Sequence, residues 1–382
     1  MLHSRSSALL LLLVTLTLPF AASTGLPSFT GRAFATGLTP GKSTAPELRI
    51  TFLDVGQGAA VLIETPEGKA ILVDGGEREA GEQVVLPYLA SRQVTGLDLV
   101  VLTHPHSDHV GGLVPVLRSL PVRQVLADGQ VHTSYVYEEF LTLIEEKRIP
   151  FELARAGCSY SFGSVKLSVL HPSEPLLAGG LNHNSVVLRV QFGDIAVLLT
   201  GDLDMEGETC LLRRGVLAAQ VLQVPHHGSS DAASAPFLRA VKPAVAVIQA
   251  GRGNPFGHPH RELLDRLGEL GGGIQVYRTD QHGTVVVHTD GTRVWVETER
   301  PGEKPGVKTD SPPPGPEVKK IDINRASQKE LESLPGIGPV LAQRIIEYRE
   351  EHPFRSVDEL LAVKGIGPKL LEKVRPYVTV ES

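Results

Sequence analysis

Cysteine is almost absent: Cys158 and Cys210 are the only two among 382 residues, which excludes a disulfide framework as the source of stability. They either pair or serve as two small buried hydrophobes. An excess of basic charge is also missing. The formal net charge is −6, so the chain is not coated in basic surface, and any polyanion contact must be local and geometric. Long hydrophobic runs are confined to the N-terminus. There Arg5 precedes an apolar stretch over residues 8–18, Pro19 ends it, and the small residues Ala21, Ala22 and Ser23 follow. That order is the order of a cleavable export signal, and the stretch is shorter than the roughly 18 to 20 residues a spanning helix needs. No cysteine stands near the cleavage region, so a lipid anchor is not indicated; an uncleaved tethering helix is the alternative.

What is present is a concentration of metal ligands. His104-Pro105-His106-Ser107-Asp108-His109 directly follows the apolar run 97–103, placing three imidazoles and a carboxylate at the mouth of one expected buried strand. Imidazole and carboxylate suit a borderline divalent ion such as zinc, and a turn holding them leaves coordination positions open for water. An open position implies catalysis rather than scaffolding. The competing interpretation is a polar surface turn that happens to be rich in histidine.

Composition divides the chain into five stretches. Residues 1–23 read as the signal and 24–46, rich in Gly, Pro, Ser and Thr, as a flexible linker. Residues 47–299 form a large domain, 300–319 a Pro-rich linker that builds no core, and 320–382 a small second domain. In the large domain, strands are expected at 49–53, 60–63, 70–73, 97–102, 186–190, 195–199, 221–224, 244–248, 284–287 and 294–296. Helical spacing covers 79–91, 110–120, 135–147, 204–213, 233–241 and 261–268. This order predicts an α+β fold of two sheets packed face to face with helices outside.

Further motifs stand at expected strand ends: Gly201-Asp202 after 195–199, and Pro225-His226-His227-Gly228-Ser229-Ser230 after 221–224. With the first cluster they resemble the metallo-β-lactamase fold, an αββα sandwich. Phe52-Leu53-Asp54-Val55-Gly56-Gln57-Gly58, Leu72-Val73-Asp74-Gly75-Gly76 and Asn254-Pro255-Phe256-Gly257-His258-Pro259 narrow the resemblance to the hydrolase domain of ComEC-type competence proteins, over roughly residues 48–298. Proteins of that type also carry a many-helix membrane channel, to which the resemblance does not extend.

The resemblance implies one or two divalent ions, zinc or manganese. His104 and His106 would hold one, Asp108 and His109 the other, with Asp202 bridging and His226 completing the second. His226 is preferred over His227 because it directly ends the strand. Asp74 and Asn184 would support the ligands from behind, and Asp54 and Gln57 would pin the loop beneath the site. Asp108, His227 and His258 are the implied catalytic groups, the two histidines holding phosphate or protonating the leaving oxygen. The implied reaction is metal-assisted hydrolysis of a phosphodiester. His132, His171, His282 and His288 read most simply as surface or turn residues. Two departures from the family pattern stand out: Asn182-His183-Asn184-Ser185 where a histidine ligand commonly lies, and Ala59 where an aspartate often follows Gly58.

From Ile321 the pattern becomes a compact helical unit with an internal repeat. Leu334-Pro335-Gly336-Ile337-Gly338-Pro339 is echoed by Val363-Lys364-Gly365-Ile366-Gly367-Pro368. Ser327 with Glu330, and Ser356 with Glu359, have capping-box spacing. These are tandem helix-hairpin-helix motifs. Their glycines expose backbone N–H groups at the start of a helix, where an anion is favoured. Lys364, Lys369 and Arg344 would add phosphate contacts, and the Ile side chains between the glycines belong to the core. Binding of double-stranded DNA would then be sequence-independent and salt-sensitive. The segment closely resembles the DNA-binding domain of ComEA, the competence receptor for duplex DNA; a helical pair used for protein contacts is the alternative.

Together these features predict an exported metal-dependent hydrolase of nuclease type with a DNA-retaining module. Two alternatives remain open at this point: a non-catalytic DNA-binding competence protein with an impaired metal site, and a metallo-hydrolase of another ester.

Overall fold

The computed structural model describes residues 46–215, 217–270, 273–302, 320–332, 334, 337–367, 370–371 and 374–380. The expected signal, nearly all of the linker after it, and most of the Pro-rich linker lie outside these residues, as do Gly336 and Lys369.

Two sheets form the large domain. The first runs through β1 (Leu48–Phe52), β2 (Val61–Glu64), β3 (Ala70–Val73), β4 (Leu99–Leu102), β5 (Val125–Ala127) and β6 (Phe151–Leu153). The second begins with β7 (Ser159–Phe162) and continues with β8 (Val165–His171), β9 (Val187–Phe192), β10 (Ile195–Leu199), β11 (Val221–Gln223), β12 (Val245–Ile248) and β13 (Gln275–Arg278). The chain then returns to the first sheet with β14 (Val285–Thr289) and β15 (Val294–Thr298). The strand orders are β15-β14-β1-β2-β3-β4-β5-β6 and β13-β12-β11-β10-β9-β8-β7, with the central connections parallel.

Alternation of side chains sorts the apolar runs into three layers. Leu99 and Val101 of β4 pack between the sheets with Val197 and Leu199 of β10, while Val100 and Leu102 face outward onto helices Leu113–Ser119 and Tyr135–Glu146. On the other side, Ala246 and Ile248 of β12 meet helices Ala235–Val241 and Arg261–Glu269. Parallel strands covered on both faces have to be apolar throughout, which is why β3, β4, β10 and β12 are wholly buried. The αββα sandwich expected from the sequence is the fold observed.

Five described strands of the large domain lie outside the sequence-based expectation: β5, β6, β7, β8 and β13. β6 and β7 are edge strands with exposed or half-buried residues, so neither supplies an apolar run. The expected helix 110–120 is two helices, Ser107–Val110 and Leu113–Ser119. The break falls at Gly111-Gly112, where a Cβ on Gly112 would stand 1.9 Å from the Gly75 carbonyl oxygen. That close approach draws the metal-ligand turn onto the end of β3. The expected helix 79–91 contains a wide turn at Gly81–Val85 just before Pro87, which has no N–H to donate.

The C-terminal residues have their own core, including Ile323, Leu331, Ile337, Ile345, Leu360 and Ile366. A two-residue parallel pair, Ile321–Asp322 with Val378–Thr379, ties the start of this helical unit to its last described turn.

Candidate metal centre

Each functional side chain stands just beyond a strand of the sandwich. Asp74 follows β3, His104 to His109 follow β4, Asp202 follows β10 and His227 follows β11. Asp108, His109, Asp202 and His227 converge. His109 Nε2 is 3.2 Å from Asp202 Oδ1, and His227 Nε2 is 3.2 Å from Asp202 Oδ2 and 3.3 Å from Asp108 Oδ2.

The opposite ring nitrogens are held in place. His109 Nδ1 donates to Asp74 Oδ2 at 2.8 Å, and the Asp74 carboxylate also accepts from the Thr103 N–H and hydroxyl at 2.8 and 2.7 Å. His227 Nδ1 donates to the Gln249 carbonyl at 2.9 Å, and Gln249 reaches the carbonyls of Leu53 and Ala60 on the facing sheet. A ring fixed at Nδ1 presents Nε2 as a ligand in a defined direction.

The donor set fits a divalent cation. The Nε2 atoms of His109 and His227 are buried, and carboxylate oxygens of Asp202 and Asp108 lie 3.2 to 3.3 Å from them. Two carboxylates in a largely buried cluster need compensating positive charge, which either two ring protons or one divalent ion supplies. Without an ion the protons do so. Burial works against charge on His227, but Asp202 and Asp108 outweigh it and the ring is pushed up to about 10. His109 is likewise raised well above the ordinary imidazole range, burial being overcome by Asp202, Asp74 and Asp108. Conversely, burial alone would lift the carboxyl of Asp202, yet His109 and His227 hold it well below the usual carboxylate range.

The structure therefore reverses the sequence-based preference for His226 over His227. Both residues have left-handed backbone, φ +52° and +53°, so the turn swings the second imidazole inward. His226 lies farther out: Nε2 is 4.0 Å from Asp202 Oδ2 and accepts from Asn182 Nδ2 at 3.2 Å, while Nδ1 stands 3.2 Å from Asp231 Oδ1. His104 and His106 sit beside the cluster, with His104 Nε2 2.9 Å from His106 Nδ1 and 3.9 Å from Asp202 Oδ2. Asp74 stands behind the His109 ring. Asn184 does not; it braces its own loop through the Leu177 backbone and Gln130. His183 is engaged by Asp204 at 2.5 Å and Glu206 at 3.0 Å.

His258 is buried with Nδ1 unpartnered, and its ring lies 5.8 Å from that of His226 and 6.3 Å from that of His227. Burial and these two neighbours push it down to about 3. Ala59 is buried, and its N–H donates to the Asp108 carbonyl at 3.2 Å. Asp54 and Gln57 pin their loop, Asp54 by accepting from Arg300 at 2.7 Å and Gln57 by accepting from the Gly251 N–H at 3.2 Å. His171, His282 and His288 are buried rather than surface residues, and the cysteines are free. Thr103, Asp231 and Gln249 escaped the sequence analysis, and Asn182 was noted there only as part of a departure from the family pattern. Only Thr103 and Asp231, immediately flanking the two histidine motifs, carried a positional signal.

In the C-terminal unit, Gly338 starts helix Pro339–Glu351, and Gly338, Lys364, Gly365 and Gly367 are exposed. Ile337 and Ile366, between the glycines, are buried in the core of the unit. Arg344, expected on phosphate, donates to the Lys364 carbonyl at 2.8 Å and braces one hairpin against the other. Ser327 and Glu330 form the expected capping box, the N–H of each bonding to the other's side chain. Ser356 does not cap; Glu359 instead accepts from the Arg355 N–H, and Val357–Ala362 winds as a 3₁₀ helix.

Among the described residues, no helix is long and apolar enough to cross a membrane. Residues 53–252 match the metallo-beta-lactamase superfamily and residues 317–379 a helix-hairpin-helix motif. ComE operon protein 3 of Bacillus subtilis (strain 168) is 30% identical over 256 residues, covering 63% of this chain and 33% of the relative. Competence protein ComA of Neisseria gonorrhoeae is 34% identical over 241 residues, covering 63% and 32%. ComE operon protein 1 of Bacillus subtilis (strain 168) is 40% identical over 62 residues, covering 16% and 30%. The chain thus spans about a third of the length of these curated relatives. With the αββα sandwich and the ligands at its strand ends, the match over 53–252 shows that this chain belongs to the metallo-beta-lactamase superfamily.

Proposed function

We propose that this chain is an exported, metal-dependent phosphodiesterase acting on DNA, whose C-terminal unit retains duplex without reading its sequence. The observation that supports the hydrolase reading is the convergence of Asp108, His109, Asp202 and His227, with the Nε2 atoms of both histidines buried beside the two carboxylates. These four residues would hold the ion, and His104, His106 and His226 line the side of the cluster where a second ion or the phosphate would lie. When bound, a divalent cation such as zinc or manganese acidifies water and polarises a phosphoryl oxygen.

The chain's own residues do the positioning. Asp74 and the Gln249 carbonyl fix the two imidazoles, so the donors need little rearrangement. His226, backed by Asp231 and facing the Asn182 amide, is placed to orient a phosphoryl oxygen or hold the leaving oxygen's proton. His258 lies behind it with a free Nδ1. The exposed turns at Gly338 and Gly365 offer backbone N–H groups to phosphates, an arrangement that carries no base-edge contacts. The competence names of the relatives and their matches to both domains favour DNA over another ester.

The test is digestion of circular plasmid by the purified chain with zinc, manganese or chelator, alongside metal analysis. Metal-dependent nicking is expected. Loaded, well-folded protein that leaves every polynucleotide intact would overturn the nuclease assignment.

A further inference from the structure

Phe256 is one of the few large apolar side chains left in solvent, 47% exposed, and it sits on the loop that carries His258. The loop is not loose. The Phe256 N–H donates to Asn254 Oδ1 at 3.2 Å, and the Phe256 carbonyl accepts from His260 Nε2 at 3.0 Å. His260 Nδ1 accepts in turn from the Ser230 N–H at 2.9 Å, and Asn254 Nδ2 donates to the carbonyls of Gly251 and His258. These bonds fix the backbone at Phe256, and the stack on His258 supports one face of its ring.

The phenyl lies offset-stacked on His258, centroids 5.6 Å apart and planes at 25°, and His258 stacks on His227 at 6.3 Å and 27°. Two ring contacts therefore separate an exposed aromatic surface from a residue of the metal cluster. A rigid exposed ring beside a phosphate-cleaving centre has a natural ligand in the flat face of a nucleobase. Duplex stacking covers both faces of each base, so such a platform reaches only unpaired or extruded bases.

We infer that Phe256 is a nucleobase-stacking platform, and that the hydrolase domain takes an unpaired strand with the base beside the scissile phosphate resting on this ring. The inference rests on the phosphodiesterase reading for its cleavage arm but not for its binding arm. Duplex retention is left to the C-terminal unit, which contacts backbone and would not perturb a base.

The test uses the full chain and a single-stranded oligonucleotide containing 2-aminopurine, whose fluorescence falls when it stacks. In chelator, wild type is expected to quench the probe. Phe256→Ala is expected to abolish quenching and weaken single-strand binding about tenfold, whereas Phe256→Tyr retains both. With metal, KM for single strands is expected to rise about tenfold in Phe256→Ala with kcat little changed. An oligonucleotide abasic next to the cleaved position should impose a similar penalty on wild type and no further one on the variant. Quenching and abasic ratios identical in wild type and Phe256→Ala would overturn the platform, and would be the result if the ring served a protein partner. Quenching that depends on Phe256, without hydrolysis of any polynucleotide, would sustain the platform and sink the phosphodiesterase reading instead.

Discussion

The two units bury and expose opposite things: one buries charge, the other buries apolar side chains and exposes backbone. In the sandwich, charged side chains are driven together under cover: Asp202 is buried, and its carboxylate favours the charged form of the His109 and His227 imidazoles against their burial. In the C-terminal unit the side chains between the glycines are buried core, and what remains outside is backbone at Gly338, Gly365 and Gly367. On the proposed function, the first arrangement is sensitive to pH and to single ligands, and the second to turn geometry and salt.

Substitutions should separate the two arrangements. Asp202→Asn removes the carboxylate shared by both imidazoles, and hydrolysis is expected to drop about a thousandfold or more while duplex retention in a shift assay persists. Loss of both together would break the comparison. Asp74→Ala frees the His109 ring and two Thr103 donors, with a 10- to 100-fold loss of metal affinity expected by calorimetry.

The pH dependence has a defined sign. In the ion-free protein His227, pushed up to about 10, is protonated at neutral pH, and a ligand must be neutral. Metal binding should therefore release protons, and affinity should climb as pH rises toward that value. Calorimetry in buffers of different ionisation enthalpy checks this; proton uptake would contradict the cluster described.

Gly365→Ala probes the other region. The backbone there has φ +103°, and a Cβ would stand 2.9 Å from Leu341 Cδ2. A cost of about 1 to 2 kcal/mol is expected in the C-terminal unit, visible as weaker duplex binding with metal affinity intact. The smallest effect is expected for Lys364→Ala, which should weaken duplex binding uniformly across sequences and lower the salt slope by about 1.

Much of this was legible in the linear chain, for identifiable reasons. β3, β4, β10 and β12 read as strands because being covered on both faces demands continuous apolar residues. β6 and β7 did not, since exposed edges impose no such demand. Asp74 was readable as an acceptor for a histidine ring, because a metal-bound imidazole needs one behind it, and it accepts from His109. The choice between His226 and His227 was not readable: the two are adjacent, and consecutive left-handed residues decide which one faces inward. Nor did spacing distinguish Arg344 as a phosphate contact from Arg344 as a brace on the Lys364 carbonyl.

By itself the sequence determined the chemistry available: imidazoles and carboxylates at strand ends, paired glycine turns in the C-terminal unit, and apolar alternation that commits the chain to two covered sheets. Those are properties of residue type and local period, and they survive without coordinates. Tertiary structure alone decided that Asp108, His109, Asp202 and His227 share one small volume, that Asn184 serves its own loop, and that Phe256 stands in solvent against His258. Convergence depends on how loops from two separate sheets pack against each other, as at Gly201 against Thr103. Such contacts join residues far apart in the chain, where no local pattern records them.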